Sequence, residues 1–334
     1  MPARPEASAS RGNVRWLLVS ATACAVPAFL LLLVFLIPEV QTAHPLLAMA
    51  AAFVPYGVIP WVAAVGFALL GARGRTRLVA APLALGLALH TAALGPYFPT
   101  PAIVEDDARV EVMALNLDGG RADLVPLAEA MAGAAPDLVV LTEVTRSNAA
   151  AFARKPWAQM FPYRSGTAGS DADPATGADD VRGTMVLSRH PLTDLGRTSG
   201  TQAGNVALRV VLEGHPFTLV AAHPAGPGCG TACWLQESDV LTRFALAHSS
   251  GPLLVAGDLN ATREQLTLRV LTAKAGLHDT ASGWQPTYPA NSWLPPLVGV
   301  DHELASRQFS TAGYRTVRVA GTDHLGVLAS LAVG

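Results

Sequence analysis

The 334-residue chain is 51% hydrophobic, carries a formal charge of −2 at pH 7 and has three cysteines. From residue 106 onward, 17 Lys and Arg stand against 22 Asp and Glu. That balance argues against a long polyanionic partner, whose phosphates call for a basic stripe, and leaves a small anion open.

Apolar residues crowd into the first hundred positions. Residues 16–37, WLLVSATACAVPAFLLLLVFLI, hold 22 positions without a charge, against the roughly 20 that a helix needs to cross a bilayer core. A second uncharged stretch runs over 46–72, with Pro55 and Pro60 as tolerated kinks, and a third over 78–98. Three transmembrane helices are expected, because none of these runs has the polar stripe of a buried helix in a soluble protein. Arg11 and Arg15 ahead of an apolar run also suit a cleaved signal peptide, but the run continues far past the small residues around Ala21, so an uncleaved anchor fits better. Arg4, Arg11 and Arg15 precede the first span, Arg73, Arg75 and Arg77 lie between the second and third, and PEVQTAH between the first and second has no basic residue but His44. Short cytoplasmic loops collect Lys and Arg. The expectation is a multi-pass protein of the cell membrane, with residues 1–15 a cytoplasmic tail and everything after about residue 100 outside the cytoplasm.

After a linker over 99–108, residues 109–334 form one domain-sized unit in which short β-rich runs alternate with helical ones, the pattern of an α/β fold. Strands are expected at 110–117, 137–144, 183–189, 205–213, 217–223, 252–258, 298–306 and 326–333, and helices at 121–133, 145–155, 233–248 and 262–274. The small, polar stretch 165–180 reads as a surface loop. Cys24 is an apolar filler in the first span. Cys229 and Cys233, in PGCGTACW, form either a local disulfide or, with His223, a zinc site that lacks an evident fourth ligand.

Several apolar runs end in a polar group, at Asn116, Glu143, His223 and Asp258 with Asn260, while Asp301 and His302 interrupt LVGVDHELAS and Asp323 and His324 precede the last run. Singly, each has an ordinary explanation as a turn former or helix cap, and Asp258 and Asn260 could cap a helix starting near Thr262. Together they suggest one pocket beyond the strand ends.

The ordered motifs LNL, LTEV, GTMVLSRHPL, AAHPAGP, GDLNAT, PTYP, VDHELAS and TDHLGV, spread over about 106–334, resemble the endonuclease/exonuclease/phosphatase superfamily. That superfamily includes DNase I, abasic-site endonucleases, sphingomyelinases and inositol polyphosphate phosphatases. The resemblance implies a four-layer α/β sandwich of two packed mixed β-sheets flanked by helices, and a metal-dependent hydrolase of phosphoric esters or anhydrides. With three N-terminal spans added, the architecture is similar to that of the VanJ-type membrane proteins of actinobacteria, implicated in resistance to the glycopeptide teicoplanin.

Asn116 and Glu143 offer hard oxygen ligands suited to Mg²⁺, with Mn²⁺ the alternative, and Asp323 is a plausible third ligand. By resemblance, Asp258 orients or deprotonates the attacking water and Asn260 helps to fix it and the phosphate. His324, held by Asp301, would contact the phosphoryl oxygens and His223 would donate from the other side, whereas His302 would be structural. An acidic partner for His223 is not evident. Water is the nucleophile, and no covalent enzyme intermediate is required. Asn260-Ala261-Thr262 also fits a glycosylation sequon, which would block the site.

The segment 283–299, GWQPTYPANSWLPPLVG, is either a loop packed over the core or a lip touching lipid. Membrane tethering favours a membrane lipid or lipid-linked phosphate or pyrophosphate as substrate, with a polyprenyl diphosphate carrier of cell-wall synthesis the specific candidate suggested by the VanJ resemblance. A tethered nuclease or phospholipid phosphodiesterase is the runner-up. The third reading is an inactive domain that binds a cell-wall intermediate.

Overall fold

A computed structural model describes residues 6–71, 78–98, 108–169 and 183–333. The chain divides into two units, Met1–Phe98 and Pro99–Gly334.

The first unit contains helices α1 (Glu6–Leu36), α2 (Pro45–Ala51), α3 (Val58–Gly71) and α4 (Ala80–Ala93). Among the described residues two helical stretches are long and apolar enough to cross a membrane, Val14–Leu36 and Val54–Gly71. The expectation of three is corrected to two. The 14 residues of α4 extend only ~21 Å, against a hydrocarbon core of ~30 Å, and a 3₁₀ turn with Pro96 near its start follows. The second stretch begins at Val54 rather than at residue 46, because α2 stops at Ala51 and Pro55 opens a 3₁₀ turn leading into α3. Residues assigned to the tail are helical from Glu6. The Arg73, Arg75 and Arg77 turn and linker residues 99–107 lie outside the described residues. Within this unit Trp61 Nε1 donates to His90 Nδ1 at 3.2 Å, leaving His90 Nε2 to donate to the Val54 carbonyl at 2.6 Å. Such pairing satisfies polar groups that burial removes from water.

The second unit holds strands β1 (Ala108–Asn116), β2 (Leu138–Val144), β3 (Tyr163–Gly166), β4 (Gly183–Ser188), β5 (Leu192–Arg197), β6 (Val206–Leu212), β7 (His215–Ala221), β8 (Leu253–Asp258), β9 (Leu277–Asp279), β10 (Asp301–Ser306), β11 (Phe309–Arg318) and β12 (Leu325–Val333). Its helices are α5 (Leu124–Ala134), α6 (Arg146–Phe152), α7 (Trp157–Met160), α8 (Thr231–Ala247) and α9 (Leu266–Ala275). The strands make two six-stranded sheets, in the orders β11-β12-β1-β2-β4-β3 and β5-β6-β7-β8-β10-β9. Each sheet has one parallel pair at its centre, β1 with β2 and β7 with β8, and its remaining pairs are antiparallel.

Alternation along the strands sorts side chains into layers. Val110, Val112 and Ala114 of β1 pack with Leu219, Ala221 and Leu254 in a core between the sheets. The opposite face of β1, Met113 and Leu115, packs on Leu127 and Met131 of α5. Val220 and Val255 pack on Leu241 of α8 and Leu268 and Leu271 of α9. The result is the expected four-layer sandwich. Both faces of the central strands are buried, which explains their nearly unbroken apolar runs.

Candidate active site

The two sheets meet chemically at their strand ends. Asn116, closing β1, donates from Nδ2 to Glu143 Oε1 of β2 at 3.1 Å and to Asp258 Oδ2 of β8 at 2.9 Å. Glu143 sits on a bulge, since the β2–β4 register shifts between Thr142 and Val144, and its φ of 57° is left-handed. Bulges beside active sites re-aim side chains, and a non-glycine residue in that conformation costs ~1–3 kcal/mol. The Gly119 amide secures the turned carboxylate by donating to Oε2 at 2.6 Å.

Asp258 follows Gly257, whose φ is 141° and whose missing Cβ would lie 2.1 Å from the Ala222 carbonyl oxygen. A side chain there would push β8 away from the chain leaving β7. Beyond Asp258, the Asn260 amide donates to Asp258 Oδ1 at 2.8 Å and its side chain donates to the Pro224 carbonyl at 3.1 Å. The helix-cap explanation for these two residues fails, because α9 begins at Leu266 with Gln265 as its N-cap.

Asp301 opens β10 directly opposite Asp258 and receives His324 Nδ1–H at 2.8 Å. His324 Nε2 and His223 Nε2 approach the same Asp258 Oδ2, at 3.8 and 3.6 Å, and His223 Nε2 lies 3.9 Å from Glu143 Oε1. Asp323 Oδ1 stands 3.8 Å from His324 Nε2. All eight residues named from the sequence, Asn116, Glu143, His223, Asp258, Asn260, Asp301, Asp323 and His324, therefore form one linked constellation. His302 stands apart: its nitrogens meet Asp279 at 2.8 Å and the carbonyls of Ala261 and Gly299 at 2.8 and 3.1 Å.

Burial penalises charge on Asp258, yet its histidine neighbours and Asn116 hold its carboxyl well below the usual range. Burial also works against protonating the histidines. The carboxylates of Asp301 and Asp258 overcome it and push His324 up to about 10, and hydrogen bonding and charge from Asp258, with Glu143, raise His223. The site pairs an ionised acid with an imidazolium, His324, and with a second imidazole, His223, whose affinity for a proton is raised.

Several supporting residues escaped the sequence reading. Asn205 accepts from the His223 amide at 3.0 Å, and Thr322 donates to the Asn116 carbonyl at 2.7 Å. Thr287 accepts from the Asp301 amide at 3.3 Å, and the Tyr288 ring lies 4.9 Å from that of His324. Thr287 and Tyr288 lie within PTYP and Thr322 within TDHLGV, but a single polar residue at a strand end carries no signal of its own role. Glu237 is buried near His223, but it accepts from the amides of Gln202 and Ala225 at 2.7 and 3.3 Å. Among the described residues, His223 Nδ1 has no hydrogen-bond partner. Cys229 and Cys233 are joined in a disulfide, which leaves no thiolate for a zinc site. A cavity of about 550 Å³ opens beside Glu143, His223 and Asn260, with Arg121, Gln202 and Cys229 on its walls.

The profile of the Endonuclease/Exonuclease/phosphatase family matches residues 113–324. The chain belongs to that family. The solved structures similar to it include an endonuclease/exonuclease/phosphatase from Beutenbergia cavernae, at 22% identity and TM-score 0.52, covering 68% of this chain and 72% of that one. An AP endonuclease from Leishmania major matches at 14% identity and TM-score 0.53, over 72% of this chain and 94% of its own. These likenesses show the fold. A search of curated proteins finds no match.

Family members depend on divalent metal, and the donor set here fits one. Glu143 and Asp258 converge on a single side-chain amide, that of Asn116, which gathers hard oxygen donors of the kind Mg²⁺ takes. The tightest group of ligand-type atoms among the described residues is Asp258, Asp301 and His324, within 4.8 Å of one another, rather than the Asn116, Glu143 and Asp323 set named from the sequence. His324 commits Nδ1 to Asp301, whereas Glu143 keeps 28% of its side-chain exposure, so the oxygen donors around Glu143 are the more open to a hydrated cation.

Proposed function

We propose that this chain is a membrane-anchored, Mg²⁺-dependent phosphoesterase whose catalytic domain lies outside the cytoplasm, and that its substrate is a lipid-linked phosphate or pyrophosphate, a polyprenyl diphosphate carrier being the specific candidate. The observation that carries the phosphoesterase reading is the convergence of one ionised acid, two histidines and a carboxylate–amide pair at the ends of strands from both sheets. The lipid-linked substrate and a part in glycopeptide resistance rest on the two apolar helices, the acidic balance of the domain and the VanJ-type resemblance.

Glu143, Asn116 and Asp323 would hold the metal, which when bound neutralises charge building on the phosphoryl group. Asn116 would turn its amide to present oxygen, because here Nδ2 faces Glu143 and Oδ1 accepts from the Asp118 amide at 2.8 Å. Asp258, ionised and hydrogen-bonded through Oδ1 to the Asn260 amide, presents its other oxygen as an acceptor that orients the attacking water. His324 keeps one proton on Nδ1 toward Asp301 and offers the Nε2 proton to a phosphoryl oxygen. His223 offers a second donor, its Nε2 3.6 Å from Asp258 Oδ2, and Asn260 lines the same cavity. Donors set in place before reaction cost no reorganisation in the transition state.

The test is phosphate release by the full chain in detergent with Mg²⁺, offered polyprenyl diphosphate, phospholipid, and single-stranded and duplex DNA, with Asp258→Asn as control. Release from polyprenyl diphosphate alone, abolished by EDTA and by the substitution, is expected. Cleaved DNA with untouched lipid would replace this reading with the nuclease one, and binding without turnover would replace it with the inactive-domain one.

A further inference from the structure

We propose that residues 284–297 form a docking lobe that seats the catalytic domain on the headgroup layer of a lipid surface. The inference rests on the lipid-linked reading for why the site should meet such a surface.

The lobe is a loop closed at its base and uncovered at its tip. Tyr288 exchanges backbone hydrogen bonds with Val298 at 2.9 and 3.0 Å, and the Leu297 amide donates to the Tyr288 carbonyl at 2.8 Å. The base is built into the active site. Thr287 supports the Asp301 amide, Tyr288 lies against His324, and the Ala290 amide donates to the Asp323 carbonyl at 2.6 Å. Arg318 clamps the same residue by donating to the Ala290 carbonyl at 2.6 Å. Anything that grips the tip is thereby held close to the catalytic histidine.

The tip is apolar and exposed. Trp293, 90% accessible, and Leu294 form it, and Tyr288 and Trp284 extend the exposed apolar surface along the base. These four are half of the eight exposed large apolar residues in the described part of the second unit. Residues 283–299 include no Asp, Glu, Lys, Arg or His, whereas Pro286, Pro289, Pro295 and Pro296 restrict the backbone. A stiff loop loses little entropy on binding. Tryptophan and tyrosine favour the boundary between headgroups and acyl chains, where the ring is buried and its polar edge stays wet. The occupant is a lipid surface rather than a protein: two helices of this chain are long and apolar enough to cross a membrane, and such a tether holds lipid at high effective concentration.

The experiment uses the full chain in vesicles of phosphatidylethanolamine and phosphatidylglycerol, with a nitroxide on Trp293→Cys in a Cys24→Ser background. Val125→Cys, at a residue 67% exposed on α5, is the control. Collision with oxygen, which concentrates in lipid, is compared with collision with a water-soluble nickel chelate. The label at 293 should favour oxygen and the label at 125 should favour nickel. A position 293 as open to nickel as 125, or shielded from both probes as a protein contact would leave it, overturns the lobe. In parallel, Trp293→Ser should raise KM for a vesicle-borne phosphoester about tenfold while leaving hydrolysis of a water-soluble phosphoester unchanged. Equal loss on both substrates also overturns it. A label at lipid depth without turnover of any phosphoester would sink the phosphoesterase reading and leave the lobe standing.

Discussion

Position for position, the two sheets follow one plan, each with a central parallel pair flanked on either side by antiparallel strands. Equivalent strand ends carry different groups. Asn116 closes β1 where His223 follows β7, Glu143 lies on β2 where Asp258 ends β8, and His324 precedes β12 where Asn205 precedes β6. The carboxylates differ most in their access to water. Glu143 and Asp323, beside the first sheet, keep 28% and 23% of their side-chain exposure, whereas Asp258 and Asp301 of the second keep 2% and 0%. A hydrated cation needs oxygen donors that remain open to solvent. Acid–imidazole pairs strengthen where water is excluded. One scaffold used twice thus supplies a wet half suited to metal and a dry half suited to holding protons.

The largest effect is expected in the dry half. Asp258→Asn should lower phosphate release by about 10³-fold, in the range for loss of a positioned acid or base, with the fold retained by circular dichroism. A smaller change would mean that the wet half orients water unaided. Asp301→Asn comes next, at about 10²-fold, with a distinctive pH signature. His324 is held protonated up to about 10 by Asp301 and Asp258. Without the Asp301 charge its pKa falls, so activity that needs the proton should decline from a lower pH in a rate profile. An unmoved alkaline limb would separate His324 from Asp301.

Gly257→Ala probes the approach of β8 to the chain leaving β7. The strained φ and the Ala222 carbonyl predict about 1–3 kcal/mol of lost stability, read as a lower denaturant midpoint. The smallest effect lies behind the site, where Arg263 and His302 hold Asp279 at 2.8 Å each. Burial works to raise Asp279, but these two cations depress it well below the carboxylate range. A depressed carboxylate stabilises the fold above its unfolded pKa of about 4 and loses that contribution as pH falls further. The difference in Tm between wild type and Asp279→Asn should therefore be full near neutrality and shrink below about pH 4.

How much of this was legible depended on burial. Eight interior strands announced themselves as apolar runs, and the four missed, β3, β5, β9 and β11, are the four sheet edges. Edge strands are only partly buried and carry charges such as Arg164, Asp194, Arg197 and Arg315, which breaks the pattern that periodicity detects. The candidate residues stood out because each sets a polar group at or beside the end of a core strand, as Asn116 and Asp258 close β1 and β8, Asp301 opens β10 and His324 precedes β12. Their division of labour did not, since it depends on exposure and pairing across 142 residues, as between Asn116 and Asp258. The third span was over-read because an uncharged stretch in a sequence hides where its helix stops, here α4 at Ala93.

The division between wet and dry halves is tested most directly by titrating Mg²⁺ against phosphate release for wild type, Glu143→Gln and Asp301→Asn. The account predicts that Glu143→Gln raises the Mg²⁺ concentration for half-maximal activity by about tenfold or more, while Asp301→Asn lowers the maximal rate and leaves that concentration where it was. A shifted Mg²⁺ requirement in Asp301→Asn with none in Glu143→Gln would place the cation on the Asp258, Asp301 and His324 group and contradict the account.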